Sequence, residues 1–268
     1  MEAKIVLFYF SKIDSQQGLK NAQRKNSNMS GGPMSKAVQR IMKKDLPSVN
    51  NDDMKSNGIY YFMDEKSIMK GTALIIGPGG TPYEGGYWFF SVQFNDNHPF
   101  EPPHVLSLTQ DGRTRFNPNM YREGKVCLSL LGTWSQGDKW TSVQTLGSVL
   151  LSILGMVLTD VPLRNEPCFS SFENHPAFDP YNRIIFHAST KNLLHYLQFP
   201  PVYLPEEYKE EIIGIMKEQF KKNKDSLIKR CLALAPTWDG KKEVNEIFKL
   251  ETMYKFKAIA DQLAETTF

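Results

Sequence analysis

The segment FNPNMYREGKVCLSLLGTW, from Phe116 to Trp134, places a cysteine between a polar turn and an apolar run. Asn117, Pro118 and Asn119 predict a stiff turn, because proline fixes one backbone torsion and asparagine tolerates unusual ones. Cys127 stands eight positions after Asn119, whose side-chain amide could donate to a developing oxyanion. Cys127 could therefore be a nucleophile, although the spacing alone favours a small buried structural cysteine.

Other chemistry at Cys127 has little support in the sequence. The chain has five histidines, but none stands in a protease signature and no CGSCW-type segment surrounds the cysteine. A Cys–His protease is therefore disfavoured. No CxxC pair and no HExxH segment occurs, so local spacing indicates no metal site.

Two segments rich in glycine and proline punctuate the first half of the chain. A phosphate cradle is disfavoured for GPGGTPYEGG (Gly77 to Gly86), because it lacks GxxxxGK[ST] and its two prolines remove amide donors. A tight turn between strands is predicted there instead. The second segment, HPFEPP, is a rigid loop that presents Phe100. Phe100 either packs in the core or forms an exposed hydrophobic anchor for a partner.

Composition and cysteine count limit the class of protein. The chain has 268 residues, 41% hydrophobic and 23% charged, and its net charge of +3 requires neither nucleic acid nor an anionic membrane as a partner. The three cysteines are odd in number and widely spaced, which favours a reducing compartment. The apolar run from Ile5 to Phe10 is too short to cross a bilayer. We expect a cytoplasmic protein, with the nucleus as a second location, and no membrane anchor.

The elements that must position Cys127 combine a sheet with flanking helices. The segment SKAVQRIMKKDLP predicts a first helix, capped by Ser35 and ended by Pro47. Four β-branched and aromatic segments between Gly58 and Thr109 predict a four-stranded antiparallel sheet. A buried helix is predicted over TSVQTLGSVLLSILGMVL, and later helices over YNRIIFHASTKNLLHYLQ, PEEYKEEIIGIMKEQFKKN and EVNEIFKLETMYKFKAIADQL. The predicted fold class is α+β.

The order and spacing of five motifs resemble the ubiquitin-conjugating enzymes. These motifs are TPYEGG, HPFEPPHV, NPN, GKVCL, and a tryptophan-bearing loop that precedes a buried helix. The resemblance covers about Ser35 to His187 and is strongest from Gly77 to Pro167. The segments CLSLLGTW and NEP are most similar to the larger members with a helical carboxy-terminal extension, the Z-type enzymes among them.

This resemblance implies the UBC fold, with an N-terminal helix, a four-stranded antiparallel sheet, a crossover helix and C-terminal helices. It implies that Cys127 accepts ubiquitin or a ubiquitin-like protein from the activating enzyme as a thioester and passes it to a lysine or a ligase cysteine. Asn119 would donate to the oxyanion or hold the loop. Glu166 would orient the incoming amine and take its proton. No metal or organic cofactor is implied, because ATP is used by the activating enzyme.

The resemblance also assigns three binding surfaces. The first helix would meet the activating enzyme, two loops would meet the ligase, and the crossover helix would hold the donor ubiquitin. The assigned residues are Lys36, Arg40 and Lys43 for the activating enzyme, Phe100, Thr141, Ser142 and Val143 for the ligase, and Ser148, Leu151 and Gly155 for the donor ubiquitin.

Among the departures from the family pattern, two concern the loop around the cysteine and the choice of ligase. The family motif is His-Pro-Asn, and Asn117 stands at its first position. The histidine mostly braces the loop, and we expect the asparagine amide to do the same. Ser142 and Val143 stand where Pro-Ala is usual, which leaves the choice of ligase open.

Three segments and two functional hypotheses follow. Residues 1–32 are predicted to be a partly flexible N-terminal extension, residues 33–197 the UBC core, and residues 198–268 a helical C-terminal extension. The leading hypothesis is an acyltransferase of the ubiquitin-conjugating class, with a modifier, an activating enzyme, a ligase and a protein substrate as partners. The alternative is a catalytically inactive UBC-fold scaffold that binds ubiquitin or ligases, and the presence of both Cys127 and Asn119 argues against it.

Overall fold

The computed structural model describes residues 35–135 and 137–268. Residues Ala37–Phe268 form one compact unit. The predictions for the N-terminal extension and for its apolar run fall outside the described residues. In the part of the chain that is described, no helix is long and apolar enough to span a membrane.

The first helix, α1, passes through a wide turn in its middle. It is α-helical over Lys36–Arg40, π-helical over Ile41–Asp45 and α-helical again over Leu46–Val49. The prediction that Pro47 ends this helix is wrong. Pro47 lies in the first turn of the α-helical segment that follows the π-helical segment. The first turn of a helix needs no backbone amide donor, so proline is tolerated at this position. A short helix, α2 (Asp52–Ser56), follows and is capped by Asn51.

Four antiparallel strands form the sheet in the order in which they occur, as the sequence predicts. They are β1 (Ile59–Met63), β2 (Lys70–Ile76), β3 (Tyr87–Gln93) and β4 (His104–Ser107). The predicted turn at 77–86 joins β2 to β3 and is closed by two backbone hydrogen bonds between Gly77 and the pair Gly85 and Gly86. Aromatic and β-branched side chains of β2 and β3 fill the core, because few other residue types suit a strand buried on both faces.

The crossover helix, α3, lies close against α1. It is α-helical over Leu146–Ser152 and π-helical over Ile153–Val157. It begins later than the sequence suggests because Thr145 and Ser148 form a capping box, which fixes the start of the helix at that point. A side chain at Gly147 would meet the Ser48 carbonyl oxygen at 2.6 Å, so only glycine allows this contact between the helices.

The carboxy-terminal part consists of three helices and a hairpin. The helices are α4 (Phe178–Gln198), α5 (Lys209–Trp238) and α6 (Phe256–Glu265), and the hairpin strands are β5 (Lys242–Asn245) and β6 (Leu250–Met253). The prediction of one helix over EVNEIFKLETMYKFKAIADQL is wrong for its first half, which forms the hairpin. Tertiary contacts override helix propensity there, since Arg183 on α4 holds Glu243 of β5 through two hydrogen bonds of 3.0 and 2.7 Å.

Buried polar contacts join the carboxy-terminal helices to the sheet. Glu84, in the turn before β3, accepts from Ser226 at 2.5 Å and from Arg230 at 3.2 Å. The Tyr87 hydroxyl donates to the Met216 carbonyl oxygen at 2.7 Å. Burial makes these contacts expensive to break, because a carboxylate without a partner would remain out of water. The compact unit runs through to Phe268, and the division at residues 197 and 198 stays a prediction.

His187 of α4 makes the stability of this part depend on pH. Burial, together with the nearby positive charge of Lys191, lowers its pKa to about 4. Its Nε2 accepts from the Lys255 amide at 3.2 Å, which requires the neutral ring. Below about pH 6.5 this histidine binds a proton in the unfolded chain but stays neutral in the folded chain. The free energy of unfolding is therefore fully retained above that pH and falls as the pH drops towards 4.

Lowering the pH from 7.5 to 5 should therefore cost the wild type about 2 kcal/mol more than it costs His187→Gln, by the linkage relation. Urea unfolding at both pH values measures the difference. His104→Gln is the matched control, because His104 is exposed on β4. Equal pH dependence in the wild type and His187→Gln would contradict the prediction.

Candidate active site

A short hairpin sets Asn119 directly across from Cys127. The Cys127 amide donates to the Asn119 carbonyl oxygen at 2.8 Å, and one isolated antiparallel bridge joins Met120 to Val126 on the way to the turn. Gly124 closes this turn with a φ of 93°, a conformation that glycine adopts without strain. The spacing of eight residues between asparagine and cysteine is therefore the length of one hairpin, which we call the active-site hairpin (residues 119–127).

Asn117 braces this hairpin from below. It is fully buried, and its Nδ2 donates to the Tyr83 hydroxyl at 2.8 Å and to the Val157 carbonyl oxygen at 2.7 Å. Its Oδ1 accepts from the Asn119 amide at 2.7 Å. The Tyr83 hydroxyl donates its own proton to the Phe116 carbonyl oxygen, so it can only accept from Asn117. This fixes the orientation of the Asn117 side-chain amide. Burial raises the pKa of Tyr83 and keeps that hydroxyl protonated. An asparagine thus links the loop, the turn before β3 and the end of α3.

A second contact connects the Glu166 segment to the brace. Asn165 donates to Asn117 Oδ1 at 3.3 Å and to the Met156 carbonyl oxygen at 2.9 Å. Glu166, the next residue, caps one turn of 3-10 helix and begins another, and it is partly exposed. The structure therefore brings the segments of all three predicted catalytic residues together. Asn165 was missed from the sequence, although the NEP motif that contains it was noted.

The side chains of the predicted pair differ in their surroundings. Cys127 is only 2% exposed. Thr133 holds the chain on both sides of Cys127, since its hydroxyl donates to the Val126 carbonyl oxygen at 2.6 Å and accepts from the Leu128 amide at 2.9 Å. Asn119 is partly exposed, and its Oδ1 is buried without a hydrogen-bond partner among the described residues. The Asn119 amide group is therefore not committed to holding the fold.

Asp45 connects α1 to two loops that the sequence left unrelated. It is fully buried, and it accepts from His98 Nε2 at 2.8 Å and from the Leu146 amide at 2.9 Å. The negative charge meets the positive end of α3, which stabilises both. A signal was available in the sequence, because Asp45 continues the buried stripe of Ile41 and Val49 at intervals of four residues.

The predicted ligase-binding residues lie on two adjoining loops. Phe100 is 78% exposed and Val143 is 81% exposed, and Thr141 and Ser142 are exposed as well. Trp140 joins the loops, because its indole N–H donates to the Pro99 carbonyl oxygen at 2.8 Å. Phe100 therefore lies on the surface and does not pack in the core.

The predicted residues of the crossover helix occupy its outer face. Leu151 is 45% exposed, which rules out core packing for this side chain, and Gly155 is exposed as well. Ser148 is partly buried because it belongs to the capping box.

The predicted basic face of α1 is less uniform than the sequence suggests. Lys36 and Lys43 are exposed. Arg40 is turned inward instead, with a side chain that is 15% exposed and donates to the Gln144 carbonyl oxygen at 2.6 Å. Arg40 therefore supports the loop before α3.

A resident metal ion would need several ligating side chains in one place. Within residues 35–135 and 137–268, no group of three or more histidine, cysteine, aspartate or glutamate side chains has that arrangement.

Comparison with known proteins agrees with the geometry. The family model for the ubiquitin-conjugating enzyme matches residues 41–179, just over half of the chain. The chain is 41% identical over 155 residues to the ubiquitin-conjugating enzyme E2 Z of Xenopus tropicalis, covering 58% of this chain and 48% of that protein. The human E2 Z is 41% identical over 152 residues, covering 56% and 42%. A probable ubiquitin-conjugating enzyme E2 26 of Arabidopsis thaliana is 30% identical over 231 residues, covering 84% and 40%.

These matches extend over about half the length of the curated E2 Z relatives or less. The matched region contains the sheet, the active-site hairpin, the brace at Asn117 and the crossover helix. With this fold and this match, the chain belongs to the ubiquitin-conjugating enzyme family.

Proposed function

We propose that this chain carries ubiquitin or a ubiquitin-like protein as a thioester on Cys127 and transfers it to an amine or a ligase cysteine. The observation that carries the proposal is the active-site hairpin, which sets Asn119 across from Cys127 through a 2.8 Å backbone hydrogen bond. Family membership supports the same chemistry. The alternative, a catalytically inactive scaffold, gives no reason for both residues to be present at paired positions.

Two acyl transfers follow from this arrangement. In the first, the Cys127 thiolate attacks the thioester carbonyl carbon on the activating enzyme, and that enzyme's cysteine leaves as a thiolate. In the second, a neutral lysine amine attacks the new thioester, an amide bond forms, and the Cys127 thiolate leaves. Glu166 accepts the proton of the amine, and Asn119 donates to the oxyanion. Since Cys127 is 2% exposed, we expect the surrounding loops to move apart on loading.

The proposed partners are an activating enzyme that spends ATP, a ligase, a modifier and a protein substrate. Lys36 and Lys43 are exposed on α1, and Phe100 and Val143 are exposed on the loops proposed to bind the ligase. Leu151 offers an apolar contact for the donor modifier. We propose a cytoplasmic location, with the nucleus as a second one, because the cysteines indicate a reducing compartment.

A charging assay tests the proposal. The full chain is incubated with ATP, activating enzymes and ubiquitin or ubiquitin-like proteins, and the products are separated without reducing agent. We expect an adduct that thiol removes in the wild type, and a thiol-resistant ester in Cys127→Ser.

Cys168→Ser is the matched control, because Cys168 is an exposed free thiol outside the active-site hairpin. It should behave like the wild type. A thiol-sensitive adduct that survives Cys127→Ser, or the absence of an adduct with every modifier, would overturn the proposal.

A further inference from the structure

A cavity of about 270 Å³ lies between the active-site hairpin and the tip of the carboxy-terminal hairpin. Arg115, Tyr121, Arg122 and Glu123 line one side, and residues 247–249 line the other. The two walls come from segments more than a hundred residues apart in the chain. Nothing in the chemistry proposed above uses this cavity.

The cavity carries an excess of positive charge. Arg115, Arg122 and Lys249 line it against a single acid, Glu123. None of the three cations has an ion pair within the described residues. A concave site lined by one sign of charge concentrates counter-ions, which favours an anionic ligand.

The arginine side chains keep hydrogen-bond donors in reserve. Arg122 donates to the Phe248 carbonyl oxygen at 3.0 Å, and Arg115 donates to the Pro118 carbonyl oxygen at 2.6 Å. The Arg115 Nε is buried and has no partner among the described residues. A guanidinium offers five N–H donors, so most of these donors are not matched. Carboxylate and phosphate oxygens are the acceptors that suit them.

Aromatic rings orient Arg115 and add apolar surface. The guanidinium carbon lies 3.9 Å from the centroid of the Tyr121 ring and 4.7 Å from that of Phe248. Stacking between two rings fixes the plane of the guanidinium and reduces the entropy lost when a ligand binds. The rings and the exposed Ile247 would also cover the methylene groups of an incoming side chain.

The far wall of the cavity is held rigidly. Arg183 pairs with Glu243 at 2.7 Å and stacks on Trp238 at 3.6 Å, which fixes β5 against α4 and α5. Lys249 takes a φ of 51° in the tight turn between β5 and β6, an uncommon conformation for a residue with a side chain. Backbone held in this way often belongs to a functional site.

The near wall is part of the active-site hairpin itself. Tyr121 pairs with Lys125 through a 2.9 Å hydrogen bond, and Cys127 is two residues beyond Lys125. At about 3.3 Å per extended residue, the cavity begins roughly 7 Å along the strand from the cysteine. A peptide segment bound here would pass close to the thioester.

We propose that this cavity binds an anionic side chain, a carboxylate or a phosphate, of the protein segment that presents its lysine to Cys127. The role of the lysine rests on the proposed function. The anion site itself rests only on the charges, donors and rings of the cavity.

Peptide binding to the full chain tests the anion site without any thioester. Three fluorescein-labelled peptides share one lysine and apolar flanks and differ at one position, which holds glutamate, phosphoserine or glutamine. Binding is measured by fluorescence anisotropy at low salt. At least one of the two anionic peptides, with glutamate or with phosphoserine, should bind about tenfold more tightly than the glutamine peptide. The comparison between glutamate and phosphoserine tells which anion the site prefers.

Charge reversal at the cavity should remove this preference. Arg122→Glu and Lys249→Glu change exposed residues, and each should weaken binding of the anionic peptides about tenfold. Arg113→Glu is the matched control, because Arg113 is exposed nearby but does not line the cavity. Equal binding of the glutamine peptide, or equal weakening by Arg113→Glu, would overturn the proposal.

A second readout connects the cavity to transfer. Once Cys127 is charged, Lys249→Glu, which lies outside the active-site hairpin, should slow discharge to the anionic lysine peptide more than it slows discharge to free lysine. If charging fails at Cys127 while anionic peptides still bind, the proposed function fails and the anion site stands. If charging succeeds and the peptides bind alike, the anion site alone is wrong.

Discussion

Asn119→Ala should slow discharge of the proposed Cys127 thioester to free lysine by about 100- to 1000-fold, the range expected for loss of one oxyanion donor. The stability of the fold should change by less than about 1 kcal/mol. The described contacts of Asn119 explain this separation. Its backbone amide and carbonyl make the bonds to Asn117 and Cys127, and alanine retains both. Its Oδ1 has no hydrogen-bond partner to lose within residues 35–135 and 137–268.

Single-turnover discharge from preloaded protein and urea unfolding measure the two effects on the same variant. Asn97→Ala is the matched control, because it truncates an exposed asparagine away from the hairpin. Discharge at the wild-type rate would exclude Asn119 as an oxyanion donor. A fall in stability that matches the fall in rate would instead make Asn119 a structural support.

Asn117→Asp should have the opposite signature and destabilise the fold by about 3 to 5 kcal/mol. The substitution keeps the shape of the side chain but replaces its donor with an oxygen. Because Tyr83 already donates to Phe116, neither the Tyr83 hydroxyl nor the Val157 carbonyl can supply a proton to that oxygen. A carboxylate would therefore be buried against two acceptors.

Urea unfolding at neutral pH measures this cost. Asn182→Asp is the matched control, since Asn182 also donates its amide to a carbonyl oxygen, that of Asp160 at 2.7 Å, but is partly exposed. We expect the control to cost about 1 kcal/mol or less. If both variants lost the same free energy of unfolding, the buried contacts of Asn117 under the hairpin would not account for its effect on stability.

Together the two asparagines divide the work of the NPN motif. Asn117 holds the hairpin. This is the bracing role that the family histidine has and that we expected Asn117 to fill. The backbone of Asn119 pairs with that of Cys127, and its side-chain Oδ1 has no hydrogen-bond partner among the described residues. The replacement of histidine by asparagine is therefore compatible with a braced loop, and the two variants measure each role separately.

Local features are what the sequence determined. The four strands follow from aromatic and β-branched segments bounded by glycine and proline, and these signals act within a few residues. The pairing of Asn119 with Cys127 was accessible for the same reason, because one hairpin of nine residues contains both. The order of the motifs along the chain then identified the family.

Contacts between distant segments were decided only by the tertiary structure. Asp45 reaches Leu146 across 101 positions, and Arg230 reaches Glu84 across 146. The stripe of Ile41, Asp45 and Val49 indicates that Asp45 is buried, but no pattern in the sequence identifies the partner in either pair, because each pair forms only when separate elements pack together. The β5–β6 hairpin shows the same limit, since its local sequence favours a helix but its residues pair as strands in the folded chain, where Arg183 on α4 binds Glu243. The cationic cavity beside the active site depends on that hairpin, and so it could be recognised only in the folded chain.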